Sequence, residues 1–324
     1  MSKSQQESLE STSVNSGASN AAPRLSVGVI GTGRAGSVLG AALRRAGHTV
    51  VAAYGVSDVS RLRAEALLPG VPLVSPEEVL ARADLVLITV PDDVLADLVA
   101  GLDATGAFRG GQFVAHASGR YGIEVLAPAT RAGALPLAMH PAMTLTGTSL
   151  DLERISGAPF GVTAPVELRP VAEALVVEMG GDPVWVPEQS RALYHAALAN
   201  GANHLVTLVA QSIELLEVAG VEHPQRLLEP LLYAALDNAL RSGDLALTGP
   251  VVRGDAGTVA AHVDVINDVS LEARRAYVAM ARLTADRALA NGMLQAVQAE
   301  ALLEVLASDP GTSSDDIDSN EKEG

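Results

Sequence analysis

Leu25-Ser26-Val27-Gly28-Val29-Ile30, then Gly31-Thr32-Gly33-Arg34-Ala35-Gly36, then the apolar stretch 37–46 form the segment whose reading decides the fold. A β-branched run leads into three glycines spaced G-x-G-x-x-G, and these open a helix that Gly47 closes. The spacing alone is weak; the strand-turn-helix setting, with a next strand at 48–53, makes it a dinucleotide fingerprint. Gly31 is expected to make the tight turn, Gly33 to admit a pyrophosphate against the backbone, and Gly36 to let the helix pack closely. The phosphates then meet the free N–H groups of residues 32–36 and the positive end of the helix dipole, so Thr32, Arg34 and Ala35 join the candidate cofactor residues.

Working outward, the second strand ends at Tyr54-Gly55-Val56-Ser57-Asp58, ahead of a helix over 59–68. A site for NAD usually ends this strand in an acid that holds the ribose 2′-hydroxyl. Here Ser57 and then Arg61 and Arg63 follow, which suits a 2′-phosphate and predicts NADPH over NADH; the same arginines also read as solvated helix charges. Ser75-Pro76-Glu77-Glu78 is a capping box that opens a short helix to Arg82. The apolar run 84–90 reads as a buried parallel strand ending at Val90-Pro91, before a helix over 94–102. The strand 112–116 ends at His116-Ala117-Ser118-Gly119, and the strand 135–139 delivers His140-Pro141 to the same edge. Carboxyl ends of strands form the cofactor crevice in a doubly wound sheet, so Val90, Pro91, His116 and Ser118 are expected near the nicotinamide half. A further β-α-β unit occupies 159–163, 168–179 and 183–186, with Gly180-Gly181 as the helix stop.

After Pro187 helical periodicity takes over: 190–220 reads as one long helix, followed by helices over 224–241, 258–267, 270–291 and 294–307. The fold class is α/β, a doubly wound parallel sheet of Rossmann type over 24–187, followed by an all-helical domain over 188–308. Residues 1–23 and 309–324 read as disordered tails, the second with six acids against one lysine.

Composition narrows the function. With 324 residues the chain is long enough for two cored domains. It has no cysteine, hence no thiolate nucleophile or cysteine metal site, and no metal site is expected. Lys3 and Lys322, both in the tails, are the only lysines, which removes lysine chemistry from the folded body. A net charge of −16 argues against nucleic acid. No apolar run is long enough to span a membrane, and the first 23 residues lack the apolar core of a secretory signal, so a cytoplasmic protein is expected.

A dinucleotide half followed by a long helix that starts a helical domain resembles the 6-phosphogluconate dehydrogenase-like superfamily, which includes ketopantoate reductases, β-hydroxyacid dehydrogenases and pyrroline-5-carboxylate reductases. The nearer likeness is to a branch of oxidoreductases with a Rossmann-like half, carried by His116-Ala117-Ser118-Gly119, His140-Pro141, Tyr194-His195-Ala196-Ala197 with Asn203, and Leu247-Thr248-Gly249-Pro250 through Arg253-Gly254-Asp255 to Thr258 and His262. The resemblance covers about residues 25–305. It implies hydride transfer between a nicotinamide and a small 2-oxo acid, ketopantoate-like, or an imine.

In ketopantoate reductases the long helix supplies a lysine that protonates the carbonyl; by the register of Asn203, the resemblance places His195 in that position. Nothing at Gly257-Thr258-Val259 matches the glutamate some of them use. Histidine can perform the protonation at neutral pH. The candidate acid is therefore His195 with Asn203 orienting it. His116 and His140 are competing donors, and Arg253 is the candidate carboxylate clamp. The same residues also read as a core histidine, a strand end and, for Arg253 with Asp255, an internal ion pair. A nucleotide-binding sensor without catalysis is the other function class. Apolar residues in 270–291 and 294–307 further predict a homodimer through the helical domain.

Overall fold

The structure, a computed structural model, describes residues 24–307; both sequence-predicted tails lie outside the described residues. The chain divides into two compact units, one up to Ala199 and one from Asn200. The first unit therefore takes in the start of the long helix, past the change of character at Pro187.

In the first unit the chain runs β1 (Ser26–Ile30), α1 (Arg34–Arg45), β2 (Thr49–Tyr54), α2 (Asp58–Leu67), α3 (Pro76–Arg82), β3 (Leu85–Ile88), α4 (Asp92–Ala104), β4 (Phe113–His116), α5 (Ala127–Arg131), β5 (Leu135–Pro141), α6 (Asp151–Arg154), β6 (Pro159–Thr163), α7 (Arg169–Glu178) and β7 (Asp182–Trp185). The strands lie in one sheet of order β2-β1-β3-β4-β5-β6-β7. From β2 to β5 all neighbours are parallel, as the doubly wound reading requires. β6 departs from it. It runs antiparallel to β5, pairing Gly161 with His140 and Phe160 with Pro141, and β7 follows β6 in parallel. A connection of ordinary length allows either direction, and an apolar strand carries no mark of its direction. The reversal brings the start of β6 beside the end of β5.

Side-chain alternation builds a core on each face. Val27, Val29, Leu85 and Leu87 face α1 and α7, with Leu43, Ile155, Phe160 and Leu175. Ile30, Val86 and Ile88 face the other way, onto Val79, Leu80, Leu95, Val99 and Leu126. All four residues of β3 are buried, the expectation for a strand covered on both faces. Local signals set the helix ends as read: the Ser75 hydroxyl accepts the Glu78 N–H and the Ser57 hydroxyl accepts the Ser60 N–H.

α8 (Arg191–Val218) passes from the first unit into the second, which continues with α9 (Pro224–Ser242), α10 (Ala256–Val269), α11 (Leu271–Ala290) and α12 (Ala296–Ala307). α10, α11 and α12 enclose a core of Val259, Val263, Ala281, Ala285, Ala288, Leu302 and Leu306. Asp255 caps α10 by accepting the Thr258 N–H, and Ser270 caps α11. Apolar side chains are exposed within 270–307, Met280, Leu283 and Val297 being 53–73% exposed, and on the two preceding helices as well. α8 buries only Arg191 and α9 only Pro224, while Val206, Leu231, Tyr233 and Leu240 are 64–80% exposed.

Candidate functional site

The glycine turn has the geometry its spacing predicted. Gly31 adopts φ +100°, and a Cβ there would lie 2.9 Å from the Thr89 carbonyl. Its N–H donates to Tyr54 O (2.8 Å), while Thr89 Oγ1 donates to Gly31 O (2.6 Å), so the turn is fastened to the ends of β2 and β3. This is the switch point of the sheet, where the chain winds to opposite sides. A Cβ on Gly36 would collide with Gly31 O and Thr89 Oγ1. Gly33, the N-cap of α1, has no atom within 4 Å of the place a Cβ would take. Two glycines thus close the turn and the third keeps its outer side open, which fits a dinucleotide phosphate. Ala35 is half-buried and Arg34 exposed. Thr32 corrects the expectation: it is fully buried, its hydroxyl donating to Ser60 O (3.0 Å), so it braces the turn and has no surface for a ligand.

At the end of β2, a Cβ on Gly55 would collide with Thr32 Oγ1 and lie 2.8 Å from Ser60 Oγ. No acidic side chain fits at that position. Ser57 is spent on the α2 cap, and Arg61 turns its Nε–H to Gly55 O (3.3 Å) with Asp58 at 4.0 Å.

Along the same carboxyl edge Val90 is half-buried and Pro91 exposed. His116 and Ser118 are both buried at this edge. His116 is 1% exposed; its Nδ1 accepts the Ser118 N–H (3.1 Å) and its Nε2–H donates to Gly122 O (2.7 Å), so both nitrogens are used inside the loop. Burial pushes its pKa down to about 4, keeping it neutral. Ser118 is also buried, its hydroxyl accepting the Tyr121 N–H and its carbonyl accepting Arg191.

Residues 188–195, most of which the sequence reading passed over, wall this edge. The Glu188 carboxylate accepts the N–H groups of Ile123 (2.8 Å) and Glu124 (3.1 Å). Arg191 is 1% exposed and donates to three carbonyls: Tyr121 (2.8 Å), Gly161 (3.0 Å) and Ser118 (2.6 Å). One signal for it exists in the sequence: a cation in the first turn of a helix opposes the dipole and needs another partner. Arg191 thereby sets Tyr194 and His195 against β5 and β6.

There the unit gathers its acid-base groups. Tyr194 OH lies 2.9 Å from His140 Nδ1, and its ring occupies the space left by Gly161. The His140 and His195 rings meet edge-on, centroids 5.8 Å apart. Gly119 makes room for both, since a Cβ on it would lie 2.5 Å from His195 Cδ2 and 2.9 Å from His140 Nε2. Burial, with the charges of Arg191 and His195, lowers the His140 pKa to about 4; burial raises that of Tyr194. His140 is therefore neutral and Tyr194 protonated at pH 7. If the Tyr194 hydroxyl donates to Nδ1, the His140 proton sits on Nε2, toward Gly119.

These geometries can be set beside known proteins. Residues 10–141 match the family described as Rossmann-like domain, and residues 158–284 match Domain of unknown function (DUF2520). The chain pairs a Rossmann-like domain with a DUF2520 domain. No curated protein matches it in sequence. Among solved structures, it is similar to a Bacteroides fragilis protein described as a candidate NADP oxidoreductase (20% identity, TM-score 0.67, 81% of this chain and 98% of that one). It is also similar to an imine reductase from Pseudomonas sp. (19%, 0.61, 88% and 100%). A third is a reductive aminase from Aspergillus terreus in complex with NADPH and ethyl-5-oxohexanoate (17%, 0.53, 88% and 93%). At these identities the likeness shows the fold.

The DUF2520 match includes the second unit's sequence marks. Asn203 and Arg253 are both exposed there. Asn203 stands eight helical residues beyond His195, a rise of about 12 Å; the ring that the first unit sets beside His195 is that of His140. Asp255 binds Thr258 through both carboxylate oxygens, with no ion pair to Arg253. His262 Nδ1 lies 2.9 Å from Tyr277 OH, beside a cavity of about 290 Å³ that Thr248 and Pro250 also line. Among the described residues no group of acids and histidines could hold a metal ion, and no helix is long and apolar enough to cross a membrane.

Proposed function

We propose that this protein is an NADP-dependent oxidoreductase that reduces the C=N or C=O bond of a small molecule, with an imine favoured over a 2-oxo acid. The observation that carries the reading is the cluster of His140, Tyr194 and His195 around Gly119, on the same sheet edge as the glycine turn. Three strand spacings separate β1 from β5, about 14 Å, so one extended dinucleotide can lie along the edge. Gly31, Gly33 and Gly36 would seat its pyrophosphate at the start of α1, with Val90 and Pro91 along its path. NADPH supplies the hydride when bound.

The chain's own residues hold the proton. Neutral His140 does not deliver a cationic proton at pH 7, and the Tyr194 hydroxyl is occupied by His140. His195 has no hydrogen-bond partner among the described residues, so it is the imidazole free to give one. Arg191 is spent on three carbonyls, so it offers no guanidinium fork to a substrate carboxylate, which favours an imine over a 2-oxo acid. The names of the imine reductase and reductive aminase of similar fold support the same class.

The test is NADPH oxidation against a panel of cyclic imines and 2-oxo acids. Turnover should be greatest on the imines, and His195→Asn should lower kcat by about 10²–10⁴ while NADPH binding survives. If His140→Asn abolishes turnover and His195→Asn does not, the proton comes from β5 and this assignment fails. NADPH binding without turnover on any substrate would favour the sensor.

The homodimer is part of the same proposal, seated on α8 and α9. Leu205, Leu208, Leu228, Leu232 and Leu236 line an apolar groove of about 510 Å³ there, next to exposed Tyr233 and Leu240. A surface this apolar is covered in stable proteins. Sedimentation at micromolar concentration should give twice the chain mass, and Leu240→Glu should lower it.

A further inference from the structure

Arg34 and Arg63 meet where no acid answers them. Arg34 opens α1 just past Gly33, and Arg63 comes from α2. A Cβ on Gly147, in the loop between β5 and α6, would lie 2.9 Å from Arg63 Nε and 3.1 Å from Arg34 Cγ, so the two side chains flank one point. Gly147 itself adopts φ +81°, where any other residue is strained as well as obstructed. Among the described residues neither guanidinium has a hydrogen bond or an ion pair.

The neighbouring charges are already engaged. Asp151, the acid nearest Gly147 in sequence, is fully buried; its carboxylate accepts the N–H groups of Thr146 (2.8 Å) and Gly147 (2.7 Å) and the Thr146 hydroxyl. It folds the loop and leaves the arginines unanswered. Arg61 is turned to Gly55 O and Asp58. Two like charges held together repel, and an anion between them reverses the sign of the interaction. The planar fork of a guanidinium matches the oxygens of a phosphate.

The position gives the anion an identity. The turn that carries Arg34 hangs on β2 through the N–H groups of Gly31 and Thr32, both on Tyr54 O (2.8 and 3.0 Å). In a dinucleotide site the end of this strand faces the adenine ribose, and the crowding at Gly55 denies it a carboxylate. We propose that Arg34 and Arg63 clasp the 2′-phosphate of NADPH between them, across the opening kept by Gly147. This rests on the reading of the chain as a dinucleotide-binding protein. It moves the specificity residues from Arg61, the first arginine after β2, to a pair drawn from two helices.

The experiment is a binding titration of the full chain with NADPH, NADH, 2′,5′-ADP and inorganic phosphate, repeated for R34A, R63A, R63K and R61A. Circular dichroism checks that each variant is folded. R34A and R63A should each weaken NADPH and 2′,5′-ADP by roughly tenfold to hundredfold, with NADH within about twofold. R63K should lose less than R63A, and R61A should bind as the parent does. Equal weakening of NADH would overturn the proposal, placing the pair at the pyrophosphate or in the fold. So would loss of NADPH discrimination in R61A alone. Inorganic phosphate binding as tightly as 2′,5′-ADP would identify a free-phosphate site instead. A parent chain that binds neither dinucleotide refutes the underlying reading rather than the choice of arginines.

Discussion

Lowering the pH from 7 toward 4 should unfold the first unit through two histidines. His116 and His140 both titrate near 4 in the folded chain, His116 because burial, with the charge of Arg191, outweighs its bond to Gly122 O, His140 because burial, Arg191 and His195 oppose its charge. An unfolded histidine titrates near 6.5. Between these values the unfolded chain binds a proton at each site that the native chain does not, so stability falls as pH falls through 6.5 and stops falling below about 4. The gap of about 2.5 pH units is worth roughly 3–4 kcal/mol per site. Two sites give up to about 7 kcal/mol, with the smaller share from the less buried His140. That is comparable with the whole stability of a typical domain. Urea unfolding followed by circular dichroism at pH 7.0, 6.0, 5.0 and 4.5 should show a slope approaching 2.7 kcal/mol per pH unit near pH 5, about two protons. His140→Gln should remove up to half of it. Stability that stays flat from pH 7 to 4.5, or NMR titrations of the His116 and His140 imidazoles centred near 6.5 in the folded protein, would refute the burial argument.

Two further outcomes follow from the same geometry. Arg191→Met leaves three buried carbonyls without their donor, at about 1–3 kcal/mol each before relaxation; we expect a loss of about 3–5 kcal/mol in urea unfolding, and a rise in the His140 pKa because a nearby positive charge is gone. Gly36→Ala drives a methyl group into Gly31 O and Thr89 Oγ1; it should cost about 1–3 kcal/mol and abolish NADPH binding, while Gly33→Ala, where the space is open, should leave stability nearly unchanged and weaken only the nucleotide.

What was legible in the sequence was local. The glycine spacing, the Ser57 and Ser75 caps and the continuous apolar run of β3 each depend on residues a few positions apart, and backbone geometry turns such patterns into turns, helix ends and strands almost regardless of the rest. The short α5 and α6, about one turn each, have no room for a period and left no pattern to read.

What tertiary structure decided involves partners far apart in the chain. Strand direction is not written in hydrophobic alternation, so only packing could reverse β6 and set Gly161 beside His140. Tyr194 meets His140 across 54 residues, and Arg191 reaches back about 70 to Tyr121 and Ser118. The place of His116 at a strand end is visible in sequence, whereas the closing of its loop onto both nitrogens is not. Arg61, Arg63 and Arg34 are equal cations in sequence. Their differing hydrogen bonds arise only when α1, α2 and the Gly147 loop are brought together, because a side chain's charge is local but the field it sits in belongs to the whole fold.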